Sequence, residues 1–203
     1  MRAAGYLLVL AACQDMDVTE PIELVAPSWT ADARAQLAAA AACWTLRFGI
    51  ALEVVDEPST SQVVVFDFDA LACWGAWGRY LPGEPAHDSI CPVRDMQQLN
   101  AAKQFHYADD VLLFTVAEHE LGHALNIPNV SASDRNTEAL AVMGINSIPT
   151  EAVQVGGAFP AFSAFDVAQL AAANPGFVPQ PACGSADVVV VPDTTTRVAC
   201  ACR

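Results

Sequence analysis

Two histidines four residues apart, with a glutamate directly after the first, constrain this chain more than any other feature. In His119-Glu120-Leu121-Gly122-His123 the spacing puts both imidazoles on one face of a helix, where they can reach a single metal ion. The glutamate between them can act as general base on a water held by that metal. The apolar lead-in Val111-Leu112-Leu113-Phe114-Thr115-Val116-Ala117 suits a buried helix with Asp109 or Asp110 at its N-terminus. A surface helix that happens to carry two histidines is the bland alternative.

After His123 come Ala124-Leu125-Asn126-Ile127-Pro128-Asn129, and further on Leu140-Ala141-Val142-Met143-Gly144. Pro128 prevents the helix from continuing. Together these residues resemble the metzincin metallopeptidases, most closely their matrixin-like branch. The family pattern is H-E-x-x-H-x-x-G-x-x-H (or D), followed by a Met-turn. The resemblance implies Zn2+ as cofactor, held by His119, His123 and whatever stands at Asn129, with Glu120 as the catalytic base. It also implies Met143 as an apolar floor beneath the metal. The resemblance spans roughly Pro21 to Pro175, with specific motifs only between His119 and Met143.

Two positions depart from the pattern. Asn126 stands where the family has glycine, and asparagine is the next most tolerant residue for left-handed backbone. Asn129 stands at the third ligand, where a neutral amide offers only a carbonyl oxygen. Three readings follow: the amide completes a weaker site, a nearby acid such as Asp134 or Glu138 substitutes, or the site has decayed to two ligands.

The first half reads as a compatible scaffold. Ile22 to Ala26 is a short strand candidate, and Ser28 or Thr30 caps an alanine-rich helix from Ala31 to Arg47 that ends at Gly49. Leu37, Ala40, Ala41, Trp44 and Phe48 mark its apolar face. Ile50, Leu52 and Val54 alternate with Ala51, Glu53 and Val55 as a second strand, and Gln62 to Phe68 is a more buried third. Ser163-Ala164-Phe165-Asp166 opens a last helix that ends at Asn174-Pro175-Gly176. The fold class is therefore α+β. The resemblance refines it to a metzincin-like twisted mixed sheet with a long N-terminal helix, an active-site helix and a C-terminal helix after the Met-turn. Trp74 and Trp77, among glycines, read as packed loop anchors before cleft-rim residues, and His87 and His106 as surface or loop histidines.

The N-terminus suggests export. Residues 1–12 form a minimal signal with an apolar stretch too short to span a bilayer. Leu10-Ala11-Ala12-Cys13 matches a bacterial lipobox, with Cys13 as the lipidated residue. Residues 13–178 then form the catalytic-type domain, and 179–203 a cysteine-containing extension with a strand at Val188 to Val191. Cys43, Cys73, Cys91, Cys183, Cys200 and Cys202 read as a disulfide framework with several possible pairings, Cys73 with Cys91 being a local one. A net charge of −14 disfavours nucleic acid or anionic membrane surfaces as partners. The expected partner is a protein or peptide substrate, with membrane contact only through the lipid, and the expected state is a monomer.

Two functional classes compete. One is an extracytoplasmic zinc-dependent metalloendopeptidase; the other is a catalytically lapsed, metzincin-like binding or structural lipoprotein.

Overall fold

Helix α1 (Ala31–Phe48) shows how closely the first half follows its sequence. The Thr30 hydroxyl accepts the Ala33 N–H at 3.2 Å, closing the N-terminus. Gly49 turns left-handed at φ 75° just after the last turn, a conformation that suits a residue without Cβ. Leu37, Ala40, Ala41, Trp44 and Phe48 are all buried, as the spacing predicts. Ser28 does not share in the cap, since its hydroxyl donates to Asp67. The computed structural model describes residues 16–69, 78–81, 85–91, 109–128, 142–143, 162, 164–178, 188–190 and 197–199.

Those residues form an α+β fold whose main sheet has five strands in the order β2-β1-β3-β5-β4. The strands are β1 (Ile22–Val25), β2 (Leu52–Val54), β3 (Val63–Phe68), β4 (Gly78–Leu81) and β5 (Ala86–Ile90). All neighbours run parallel except the edge strand β4, which is antiparallel to β5. β1 lies between two strands and buries all four residues, which is why it reads as an unbroken apolar run apart from Glu23. Two further helices follow, α2 (Asp109–Ala124) and α3 (Ala164–Ala173), and then a two-stranded ribbon, β6 (Val188–Val190) with β7 (Arg197–Ala199).

The sequence reading passes from the β3 region directly to the metal-binding helix, whereas the fold inserts β4 and β5. Both carry polar residues at positions that hide the strand pattern: β4 is Gly-Arg-Tyr-Leu and β5 is Ala-His-Asp-Ser-Ile. In β5, Ala86, Asp88 and Ile90 are buried while His87 is exposed. The alternation is that of a half-buried strand, with an acid in one of its inward places.

Packing of α2 on α1 and on the sheet defines the core. The Trp44 indole N–H donates to the Glu118 carbonyl at 2.9 Å, tying the two helices together. Edge-on contacts of Phe162 with Trp44 (4.6 Å) and Phe48 (4.9 Å) extend the same cluster. Cavity formation at a site this well filled costs about 3–5 kcal/mol for an aromatic-to-alanine change. Among the described residues no helix is long and apolar enough to cross a membrane.

Candidate metal centre

The centre is built on the last two turns of α2 and the turn that ends it. Asn126 takes φ 66°, so the asparagine adopts the left-handed geometry its sequence position requires. Its N–H donates to the His123 carbonyl at 3.0 Å and the Ile127 N–H to the Gly122 carbonyl at 2.9 Å. This paired closure is a Schellman turn with Asn126 as its left-handed residue. The Asn126 amide donates to Met16 O and to Asn174 Oδ1, both at 3.3 Å. Asn174, buried at the end of α3, donates in turn to the Leu125 carbonyl at 2.9 Å. The ends of α2 and α3 are thereby clipped together.

That turn has a chemical consequence for His123. Its Nδ1 lies 2.8 Å from the Ile127 carbonyl, and His119 Nδ1 lies 2.7 Å from the Val142 carbonyl. A carbonyl oxygen can only accept, so both Nδ1 atoms carry the proton and both lone pairs sit on Nε2. The rings lie 5.0 Å apart at 89°. Ligand atoms of His119, Glu120 and His123 all lie within 4.8 Å of one another. The orienting bond from each ligand's other nitrogen is what metal-binding histidines use to fix ring and tautomer.

Met143 packs against Gly122, which lies between the two histidines in the chain. It is fully buried, and a Cβ added at Gly122 would overlap its side chain. Glycine inside the histidine motif is thus a packing requirement set by the methionine. Asp166, in the first turn of α3, accepts the N–H of Met143 at 3.0 Å and of Val142 at 3.3 Å. Each such bond to a charged acceptor contributes about 1.5–3 kcal/mol. Asp166 therefore fixes the turn whose carbonyl orients His119.

Glu120 is 3% exposed, and burial pushes its carboxyl up to about 8. Oε2 has no hydrogen-bond partner among the described residues. The carboxylate lies over β4, where a Cβ at Gly78 would overlap it. On β5, Asp88 is fully buried with neither carboxyl oxygen partnered among the described residues. Burial, and then the Glu120 charge, push Asp88 well above the usual carboxylate range. Glu118, also buried, is raised by burial and then by Asp166.

The structure thus brings His119, Glu120, His123 and Met143 to one place. Asn129, its alternatives Asp134 and Glu138, and Cys13 lie outside the described residues, as do Trp74, Trp77 and His106. His87 sits half-exposed on β5, 4.0 Å from Asp67. Cys43 and Cys91 are both buried and disulfide-bonded. Sequence reasoning missed Gly78, Asp88 and Asn174. Only the Asn174-Pro175 helix stop pointed near any of them. No family model matches the chain, and no curated protein matches it.

Proposed function

We propose that this chain is a zinc-dependent metalloendopeptidase of the metzincin type that works outside the cytoplasm. The observation that carries the reading is the pair of backbone carbonyls that fix the Nδ1–H of His119 and of His123, with the ligand atoms of both rings and of Glu120 within 4.8 Å of one another. Two imidazoles beside a buried carboxylate suit zinc better than magnesium or calcium, which favour all-oxygen sites. His119 and His123 would hold the ion, with Asn129 or a neighbouring acid completing the set. When bound, zinc supplies Lewis acidity, polarising a scissile carbonyl and acidifying water.

The remaining steps belong to the chain itself. Glu120 takes the proton that the attacking water gives up and returns it to the departing amine. Burial brings its proton affinity near neutrality, where one group can both accept and donate. The edge strand β4 offers extended backbone beside α2, to which a peptide can add as a further strand. Met143, packed against Gly122, supports the resemblance to a Met-turn. The signal in residues 1–12 and lipidation at Cys13 belong to the same proposal. Disulfide-bonded Cys43 and Cys91 support an oxidising compartment.

The test is zinc content and cleavage together. Purified, disulfide-intact chain should retain stoichiometric zinc after dialysis and cleave an unfolded protein in a chelator-sensitive way. Glu120→Gln should keep the zinc and lose the cleavage. Zinc retained only by Asn129→His would overturn the reading in favour of a lapsed site in a binding or structural lipoprotein.

A further inference from the structure

Strand β4 opens on a glycine, Gly78, and its backbone does not call for one. Among the described residues the glycines with positive φ are Gly49 and Gly176, so Gly78 holds a backbone that other residues adopt freely. Glycine in a strand weakens it, and a common reason for keeping it is the close approach of another group. That group is Glu120: a Cβ on Gly78 would overlap Oε1, Cδ and Cγ of its side chain. Neither partner has an easy retreat. β4 is held to β5 through the pairs Gly78 with Ile90, Arg79 with Ser89, Tyr80 with Asp88 and Leu81 with His87. Glu120 is 3% exposed, so its carboxylate cannot simply swing out into water.

We propose that Gly78 is a positioning residue for Glu120: by lacking a side chain it leaves the place that the carboxylate occupies, and so fixes where the base stands beside the two histidines. The proposal rests on the reading of Glu120 as the base. Of the two partners the strand is the stiffer, because its ladder to β5 ties each of its residues, whereas the carboxylate is the far end of a flexible side chain. A methyl at position 78 therefore moves the base first. Misplacing a catalytic group by about 1 Å costs roughly 10²-fold in rate. The histidines are oriented independently of β4, His119 by the Val142 carbonyl and His123 by the Ile127 carbonyl. Peptide pairing is spared as well, since a strand pairs in the plane of the sheet while its side chains project from the two faces. A β-branched residue at this position would serve the sheet better and the base worse.

Two readouts test this in the full chain. In the metal-free protein, Gly78→Ala should lower the denaturation midpoint when Glu120 is present. In a Glu120→Ala background, where the overlapping atoms are gone, it should leave the midpoint unchanged or raise it. Equal shifts in the two backgrounds overturn the proposal. In the zinc-loaded protein, Gly78→Ala should lower kcat about tenfold to a hundredfold, with KM and zinc content near wild type. The same change added to Glu120→Gln should lower the residual rate no further, because the base is already lost. Wild-type kcat in Gly78→Ala, or an equal fall in the Glu120→Gln background, overturns the proposal. If Gly78→Ala does not fold, the Glu120→Ala background decides: recovered folding supports the proposal and continued failure overturns it. If wild type cleaves nothing, the peptidase reading falls, and the paired midpoints still judge Gly78.

Discussion

On the β1 side of the sheet, Glu23 is 7% exposed, and its carboxylate is met by donors on both oxygens. Ser59 N–H and hydroxyl approach at 2.6 Å, and Thr60 N–H at 2.9 Å. Under α2, Asp88 and Glu120 are at least as deeply buried, yet both Asp88 oxygens and Glu120 Oε2 accept nothing among the described residues. The consequences have opposite signs. The Ser59 hydroxyl, and then the Thr60 and Ser59 amides, hold Glu23 below the usual carboxylate range, while burial lifts Asp88 and Glu120 above it. An acid that ties a loop to a strand is solvated by the fold; the acids at the candidate metal centre are pushed towards holding protons.

The strongest way to break this contrast is to remove the Glu120 charge. Glu120→Gln should reduce peptide cleavage by roughly 10²- to 10⁴-fold with zinc retained. It should also leave the metal-free chain more stable than wild type above pH 8, because a carboxyl whose ionisation is opposed by burial is gone. Melting curves at that pH check the second half. Destabilisation there would make Glu120 a structural acid like Glu23.

The pH dependence of the metal-free chain sharpens the same point. Glu120 rises from an ordinary value of 4.5 to about 8 on folding. Its neutral form therefore contributes fully below pH 4.5, and that contribution is lost as pH rises through about 8. The slope for one such proton is about 1.4 kcal/mol per pH unit. Zinc, whose charge favours the ionised form, should flatten the fall. Denaturant midpoints from pH 5 to 9, with and without zinc, give both slopes; a flat metal-free curve would remove the basis for the contrast.

A smaller effect is expected from packing at the centre. Gly122→Ala puts a methyl where Met143 sits, which should cost about 1–3 kcal/mol and weaken zinc binding. Both are readable from chemical denaturation and a competitive chelator titration. Wild-type values for both would mean that Met143 swings aside without consequence and is not a fixed floor.

How much of this was legible depended on whether a residue's environment is local. Thr30, Gly49 and the apolar face of α1 are set by neighbours a turn away, so caps and spacing sufficed. The His119–His123 pair and left-handed Asn126 are equally local. Asp88 was hidden because a charged residue in a strand pattern reads as solvent-facing. Its burial comes from α2, about thirty residues later, which no window of alternation covers. Gly78 and Asn174 are alike: each matters through a side chain far along the sequence, Glu120 for one and Asn126 for the other. The strands β4 and β5 went unread because Arg79, His87, Asp88 and Ser89 interrupt any apolar run, although Asp88 is buried.

Glu23 offers the smallest effect and the cleanest control. Its carboxylate is lower than ordinary when folded, so its contribution is present above about pH 4.5 and is lost as pH falls through the folded value. Glu23→Gln keeps the size of the side chain but removes the charge and one of the two acceptor oxygens, so the Ser59 hydroxyl and the Ser59 and Thr60 amides can no longer all donate to it. Stability near neutral pH should drop modestly, and the acid limb of the stability curve should flatten. Zinc content and cleavage should not change, because the Glu23 carboxylate's hydrogen bonds among the described residues go to Ser59 and Thr60. Melting temperatures from pH 3 to 7, set beside the same series for Glu120→Gln, should show curves bending in opposite directions. If both variants bend the same way, the environments of the two acids do not differ as their hydrogen bonds indicate, and Glu120 would owe its burial to the fold alone.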